Sequence, residues 1–115
     1  MVSARLRQLL LAAEGSGELA GDCVQRGVAE HPVCGDRVEL SLRTRDGRID
    51  ELKWRASGCP AAMALSALAA KALVGAPVAA ATETLHAAIV AHGGLAAHER
   101  HAEALLGRAL AAAGL

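Results

Sequence analysis

The stretch from Arg37 to Gly75, "RVELSLRTRDGRIDELKWRASGCPAAMALSALAAKALVG", carries two periodicities back to back. Val38, Leu40 and Leu42 alternate with Arg37, Glu39, Ser41 and Arg43, the period-two pattern of a half-buried strand. Asp46-Gly47 between Arg45 and Arg48 predicts a tight hairpin, because that pair tolerates the positive φ such turns need. The return strand, about 48–56, puts Leu52, Trp54 and Ala56 on one face. Ile49 is out of phase with them, which predicts a bulge near Asp50. From Ala61 to Val74 only Ser66 and Lys71 are polar, so this helix is apolar on nearly every side and is expected to be buried. Pro60 suits the first helical position, and Gly75, followed by Pro77, the exit. Cys59 then falls at or beside the helix N-cap.

The flanks add helices. Leu6, Leu9, Leu10 and Ala13 recur at helical spacing over residues 3–13, and Gly15-Ser16-Gly17 ends the run. Residues 18–33 read as irregular, with a short strand near Gly27–Glu30. Residues 82–92 predict a helix with Leu85, Ala88, Ile89 and His92 on one side, stopped by Gly93-Gly94. A last helix is expected from about Ala97 to Ala113, with Ala102, Leu105, Ala109 and Leu110 inward and His98 and His101 extending that stripe. The expected architecture is α+β: a small antiparallel sheet of about three strands with helices packed on one face.

A chain of 115 residues is expected to form one domain with one core. It is 53% hydrophobic and only 1% aromatic, so Ala, Leu and Val must build that core. The formal net charge is zero, which argues against a nucleic-acid footprint, since that would need a basic face. No uninterrupted apolar run is long enough for a membrane span. The start "MVSARLRQLLLAA" reads as a helix rather than a signal peptide. Cys23, Cys34 and Cys59 make no obvious disulfide framework, and cysteines beside Asp and His suit the metal or sulfur chemistry of a cytoplasmic protein.

Cys34 and Asp36 stand at the mouth of the first hairpin strand, and Cys59 where the second strand ends. An antiparallel pair brings these places to the same end of the sheet, although 24 residues lie between the two cysteines. A helix N-terminus offers unsatisfied N–H groups and partial positive charge, which favour a thiolate at Cys59. Gly35 and Gly58 let the backbone come close to a ligand. On residues alone, a buried cysteine and a turn aspartate remain an alternative to a shared metal site.

"GVAEHPVCGD" (Gly27–Asp36), the hairpin, and "SGCPAAMALSALAAKALVG" (Ser57–Gly75) together resemble the iron–sulfur cluster assembly scaffold family, the IscU, SufU and NifU N-terminal domain group. The resemblance implies a SufE/NifU-like fold over one domain spanning residues 1–115. It implies a scaffold rather than an enzyme: a protein that receives sulfur from a cysteine desulfurase, combines it with iron, and hands a labile [2Fe–2S] cluster to acceptor proteins. Some members bind zinc at the same site. Carried over, Cys34 and Cys59 would be cluster or zinc ligands, and Asp36 the carboxylate that keeps the cluster exchangeable.

The family pattern has a third cysteine after a histidine at the start of the last helix. Here the pair reads His101-Ala102, so the histidine is kept and the thiol is missing; an alignment shifted by one puts His101 at the cysteine position. Either way His101 is the expected fourth ligand. Cys34, Asp36, Cys59 and His101 could hold tetrahedral Zn2+ or a [2Fe–2S] cluster. A zinc-binding sulfur-relay or regulatory homologue that no longer assembles clusters is the alternative function. The segment gripped by an Hsp70-type chaperone in the IscU branch appears as "LAAHE" (Leu95–Glu99), so that chaperone is not expected to bind.

Cys23 is an alternative replacement for the missing thiol, or a free or buried cysteine. His98, three residues before His101, is expected on the same helix face. His31 is expected to face solvent, and His86 and His92 have no expected role. Trp54 reads as the one large core residue. Arg43, Arg45, Arg48, Lys53 and Arg55 read as a solvated hairpin face, or as a docking face for a desulfurase or acceptor.

Overall fold

In a computed structural model of the chain, residues 4–31 and 35–115 are described, with the backbone alone for Arg5 and Leu6. The elements are α1 (Ala4–Ala12), β1 (Gln25–Glu30), β2 (Arg37–Arg45), β3 (Arg48–Ser57), α2 (Pro60–Leu73), α3 (Ala81–Ala91) and α4 (Arg100–Ala112). Single 3-10 turns, Val78–Ala80 and Ala97–Glu99, lead into α3 and α4. The three strands form one antiparallel sheet in the order β1-β2-β3. α2 and α4 cover one face of it; α1 packs on α2, and α3 lies against α2 and α4. This is the expected α+β architecture.

The hairpin forms as its residues dictate. Arg45 pairs with Arg48, and Asp46 and Gly47 between them take φ of +53° and +75°, the positive pair of a type I′ turn. The register shifts where Arg43 opposes Glu51 and Thr44 opposes Ile49, so Asp50 is the extra residue of a bulge. The bulge returns Ile49 to the inner face, where it is fully buried beside Leu40, Leu42 and Leu52. Each such buried aliphatic side chain contributes roughly 2 kcal/mol of hydrophobic stabilisation. α2 begins with Pro60 in its first turn, and ten of its fourteen residues are buried. Its one buried hydroxyl, Ser66, donates to the Ala62 carbonyl at 2.7 Å. With alanine at most of its core positions, α2 can lie close against the sheet and against α4.

Two non-local features depart from the expected pattern. Ser41, expected on a solvated strand face, is buried: the loop after α1 crosses that face, and the Leu19 N–H donates to Ser41 Oγ at 2.9 Å. The same loop pairs with β3, the Gly17 N–H donating to the Trp54 carbonyl and the Trp54 N–H to the Gly15 carbonyl. Trp54 is buried as expected, and its indole N–H donates to the Glu14 carbonyl at 2.7 Å. Two of the five hairpin cations have carboxylate partners. Arg43 pairs with Glu51, and Arg55 lies 3.8 Å from Glu18; nearby, Arg37 pairs with Glu30 and Glu39.

The last helix also differs at its start. The expected helix from Ala97 opens as a 3-10 turn before it becomes α-helical at Arg100, and Glu99 (φ −103°, ψ −9°) stands at the junction. The inward position there goes to Glu99, 1% exposed, whose carboxylate accepts the Ala96 N–H at 2.9 Å. His98, in the 3-10 turn, is exposed, whereas His101, in the first turn of α4, is half-buried. Among the described residues, no helix is long and apolar enough to cross a membrane.

Candidate metal centre

The site sits where the open ends of β2 and β3 meet the N-termini of α2 and α4. Asp36 immediately precedes β2 and is 4% exposed. Both of its carboxylate oxygens are engaged. Oδ1 accepts the Cys59 backbone N–H at 2.9 Å, and Oδ2 lies 3.1 Å from His101 Nε2. One carboxylate thus ties the start of β2 to the start of α2 and to the first turn of α4. The charge is placed at the positive end of the fourteen-residue α2, where a helix N-terminus favours anions.

Gly58 makes this approach possible. Its φ is +98°, a conformation that side chains rarely adopt, and an added Cβ would land on Asp36 Oδ1 and lie 3.0 Å from Asp36 Cα. Cys59 is the N-cap residue, with φ −66° and ψ 131°, yet its side chain makes no capping hydrogen bond. Its thiol is partly buried and joins the carboxylate and the imidazole. Single ligand atoms of Asp36, Cys59 and His101 all lie within 4.8 Å of one another, the one such group among the described residues.

These donors fit a metal. Two ligand atoms bound at about 2.1 Å to a tetrahedral ion are roughly 3.4 Å apart, close to the 3.1 Å between Asp36 Oδ2 and His101 Nε2. A thiolate, an imidazole and a carboxylate suit zinc or iron. Cys34, the fourth expected ligand, lies outside the described residues. The loop carrying it is closed by described backbone on both sides: the His31 N–H donates to the Asp36 carbonyl at 2.7 Å, and the Gly35 N–H to the His31 carbonyl at 2.9 Å.

His101 is half-buried, whereas Ala102 is completely buried in the core. It is therefore the histidine, not its neighbour, that turns toward Asp36 and Cys59. Cys23 is exposed, with φ +60°, and is not part of the group. His31, expected in solvent, is instead half-buried, its ring 5.7 Å from that of His101 at an interplanar angle of 80°. The available clue was its place five residues before Asp36 in the same loop. His86, given no role from sequence, has its Nδ1 2.7 Å from Glu103 Oε2 and so links α3 to α4.

The family model described as "NifU-like N terminal domain" matches residues 13–115. The chain belongs to the NifU-like N-terminal domain family. A curated relative of this NifU-like chain, "Iron-sulfur cluster assembly scaffold protein IscU 1" of Archaeoglobus fulgidus, is 33% identical over 85 residues. That match covers 73% of this chain and 56% of the relative, so the chain matches little more than half the relative's length. Among solved structures, the N-terminal part of a NifU-like protein from Brucella abortus is similar with a TM-score of 0.70 at 21% identity, covering 96% of this chain and 87% of that one. A SUF-system scaffold protein from Fervidobacterium islandicum AW-1 gives 0.70 at 14% identity, covering 94% and 95%. At these identities the structural likeness speaks for the fold, the α+β arrangement built above.

Proposed function

We propose that this NifU-like chain is an iron–sulfur cluster assembly scaffold whose cargo, iron and a labile [2Fe–2S] cluster, is held by Cys34, Asp36, Cys59 and His101. The observation that carries the reading is the convergence of Asp36, Cys59 and His101 within 4.8 Å at the N-terminus of α2 in a chain of this family. The curated relative's name supports the scaffold role. Cys59 and Cys34 supply the sulfur donors that iron favours. Asp36 supplies a harder oxygen donor, weaker toward iron and therefore exchangeable. A cysteine desulfurase supplies sulfur, acceptor proteins take the cluster, and the chain itself breaks no substrate bond. In this reading the protein is cytoplasmic and is not expected to bind an Hsp70-type chaperone.

A zinc-binding sulfur-relay or regulatory role is the second reading, favoured by His101-Ala102 standing where the family has a histidine and a third cysteine. Two sulfurs, one nitrogen and one oxygen complete a tetrahedral zinc site.

Anaerobic reconstitution with iron and sulfide, beside elemental analysis of the purified protein, separates them. Visible charge-transfer bands with stoichiometric iron support the scaffold. Zinc alone supports the second reading, and no metal under either condition overturns both. Cys59→Ala and Cys34→Ala are each expected to abolish stoichiometric binding. Ala102 is buried in the core, so Ala102→Cys is expected to leave cluster retention unchanged; a gain would favour the alignment in which position 102 holds the family's cysteine.

A further inference from the structure

We propose that His31 is a positioning residue for His101: its ring fixes the plane of the His101 imidazole and so aims Nε2 into the metal centre. The proposal rests on the metal-site reading above.

His31 is anchored by its backbone to the residue that forms the centre of the site. Its N–H donates to the Asp36 carbonyl at 2.7 Å, and its own carbonyl accepts the Gly35 N–H at 2.9 Å. The start of its side chain therefore moves with the backbone that carries the Asp36 carboxylate. From there the ring meets His101 with a 5.7 Å centroid separation and 80° between planes, the edge-to-face arrangement that aromatic pairs favour. The atoms within 4.8 Å stop at Asp36, Cys59 and His101, so His31 adjoins the donor set without belonging to it.

The contact has a job that the Asp36 hydrogen bond cannot do alone. A bond at Nε2 fixes one atom of the imidazole but leaves the ring plane free to tilt. The ligating lone pair lies in that plane, so orientation is part of affinity. Packing from His31 supplies the missing restraint.

Two readouts test this, one of them independent of metal. In metal-free protein, side-chain NMR of His101 in His31→Ala is expected to show an averaged, mobile ring, and His31→Phe is expected to restore the ordered signals by packing alone. In Zn2+ and Co2+ titrations, His31→Ala is expected to weaken binding by about tenfold to a hundredfold. The Co2+ absorption bands should stay in place, and His31→Phe should recover most of the affinity. Bands that move in both variants would make His31 a ligand and overturn the proposal. Unchanged affinity with unchanged His101 signals would overturn it as well. A wild-type protein that takes up neither metal overturns the function above, while the metal-free comparison still decides the role of His31. The alanine change leaves both backbone hydrogen bonds possible. If it nevertheless abolishes the cooperative melt, His31→Asn removes the ring and carries the same readouts.

Discussion

The two ends of α2 are attached to the β2–β3 hairpin in opposite ways. At the far end the joints are mostly backbone: the Gly75 N–H donates to the Ile49 carbonyl, the Ile49 N–H to the Ala76 carbonyl, and the Val78 N–H to the Gly47 carbonyl. The one side chain involved, Arg48, donates to the Gly75 carbonyl from an exposed position. At the near end the joint is a side chain, with Asp36 accepting from the Cys59 backbone and meeting His101. Both ends contain Asp, Gly and a positive φ, yet only one gathers metal-binding atoms. Backbone joints are indifferent to side-chain identity; a side-chain joint makes identity decisive, and there the chemistry collects.

Substitutions matched across the two ends can break this contrast. Gly58→Ala should be the most damaging, because its Cβ both strains the left-handed backbone and displaces Asp36, at a combined cost of about 3 kcal/mol. Metal uptake should be lost with it, as read by denaturation and elemental analysis. Asp36→Ala should cost about 2 kcal/mol, the value of a hydrogen bond to a charged group, and should also abolish metal uptake. Gly47→Ala, at φ +75° with nothing within 4 Å of the added Cβ, should cost only about 1 kcal/mol and leave metal uptake intact. Arg48→Ala should shift stability by at most about 0.5 kcal/mol, as exposed substitutions generally do. A Gly47→Ala variant that lost metal would show that the two ends are coupled, and the contrast would fall.

Local chemistry made most of the fold legible. The turn at Asp46-Gly47, the bulge at Asp50, the Pro60 start and the Gly75 exit of α2 each announce themselves within a few residues. The meeting of Asp36 with Cys59 was also readable, since an antiparallel hairpin must bring its open ends together. What escaped the sequence depends on chain segments far apart. Ser41 is buried by Leu19, twenty-two positions away, and no strand pattern contains that information. The buried carboxylate of Glu99 also escapes the pattern, because it depends on the 3-10 opening of the last helix and the Ala96 N–H it accepts. His31 reads as a loop residue until α4 brings His101 against it.

Trp54 gives the molecule an optical property. The chain has one tryptophan, no tyrosine and no phenylalanine, so its near-ultraviolet emission comes from a single indole. That indole donates to the Glu14 carbonyl, and its backbone pairs with Gly15 and Gly17, so its fluorescence reports whether the segment after α1 is seated on β3. Stability can thus be followed by emission at that seam in every variant named above, while absorption bands of iron or cobalt report separately on the donors.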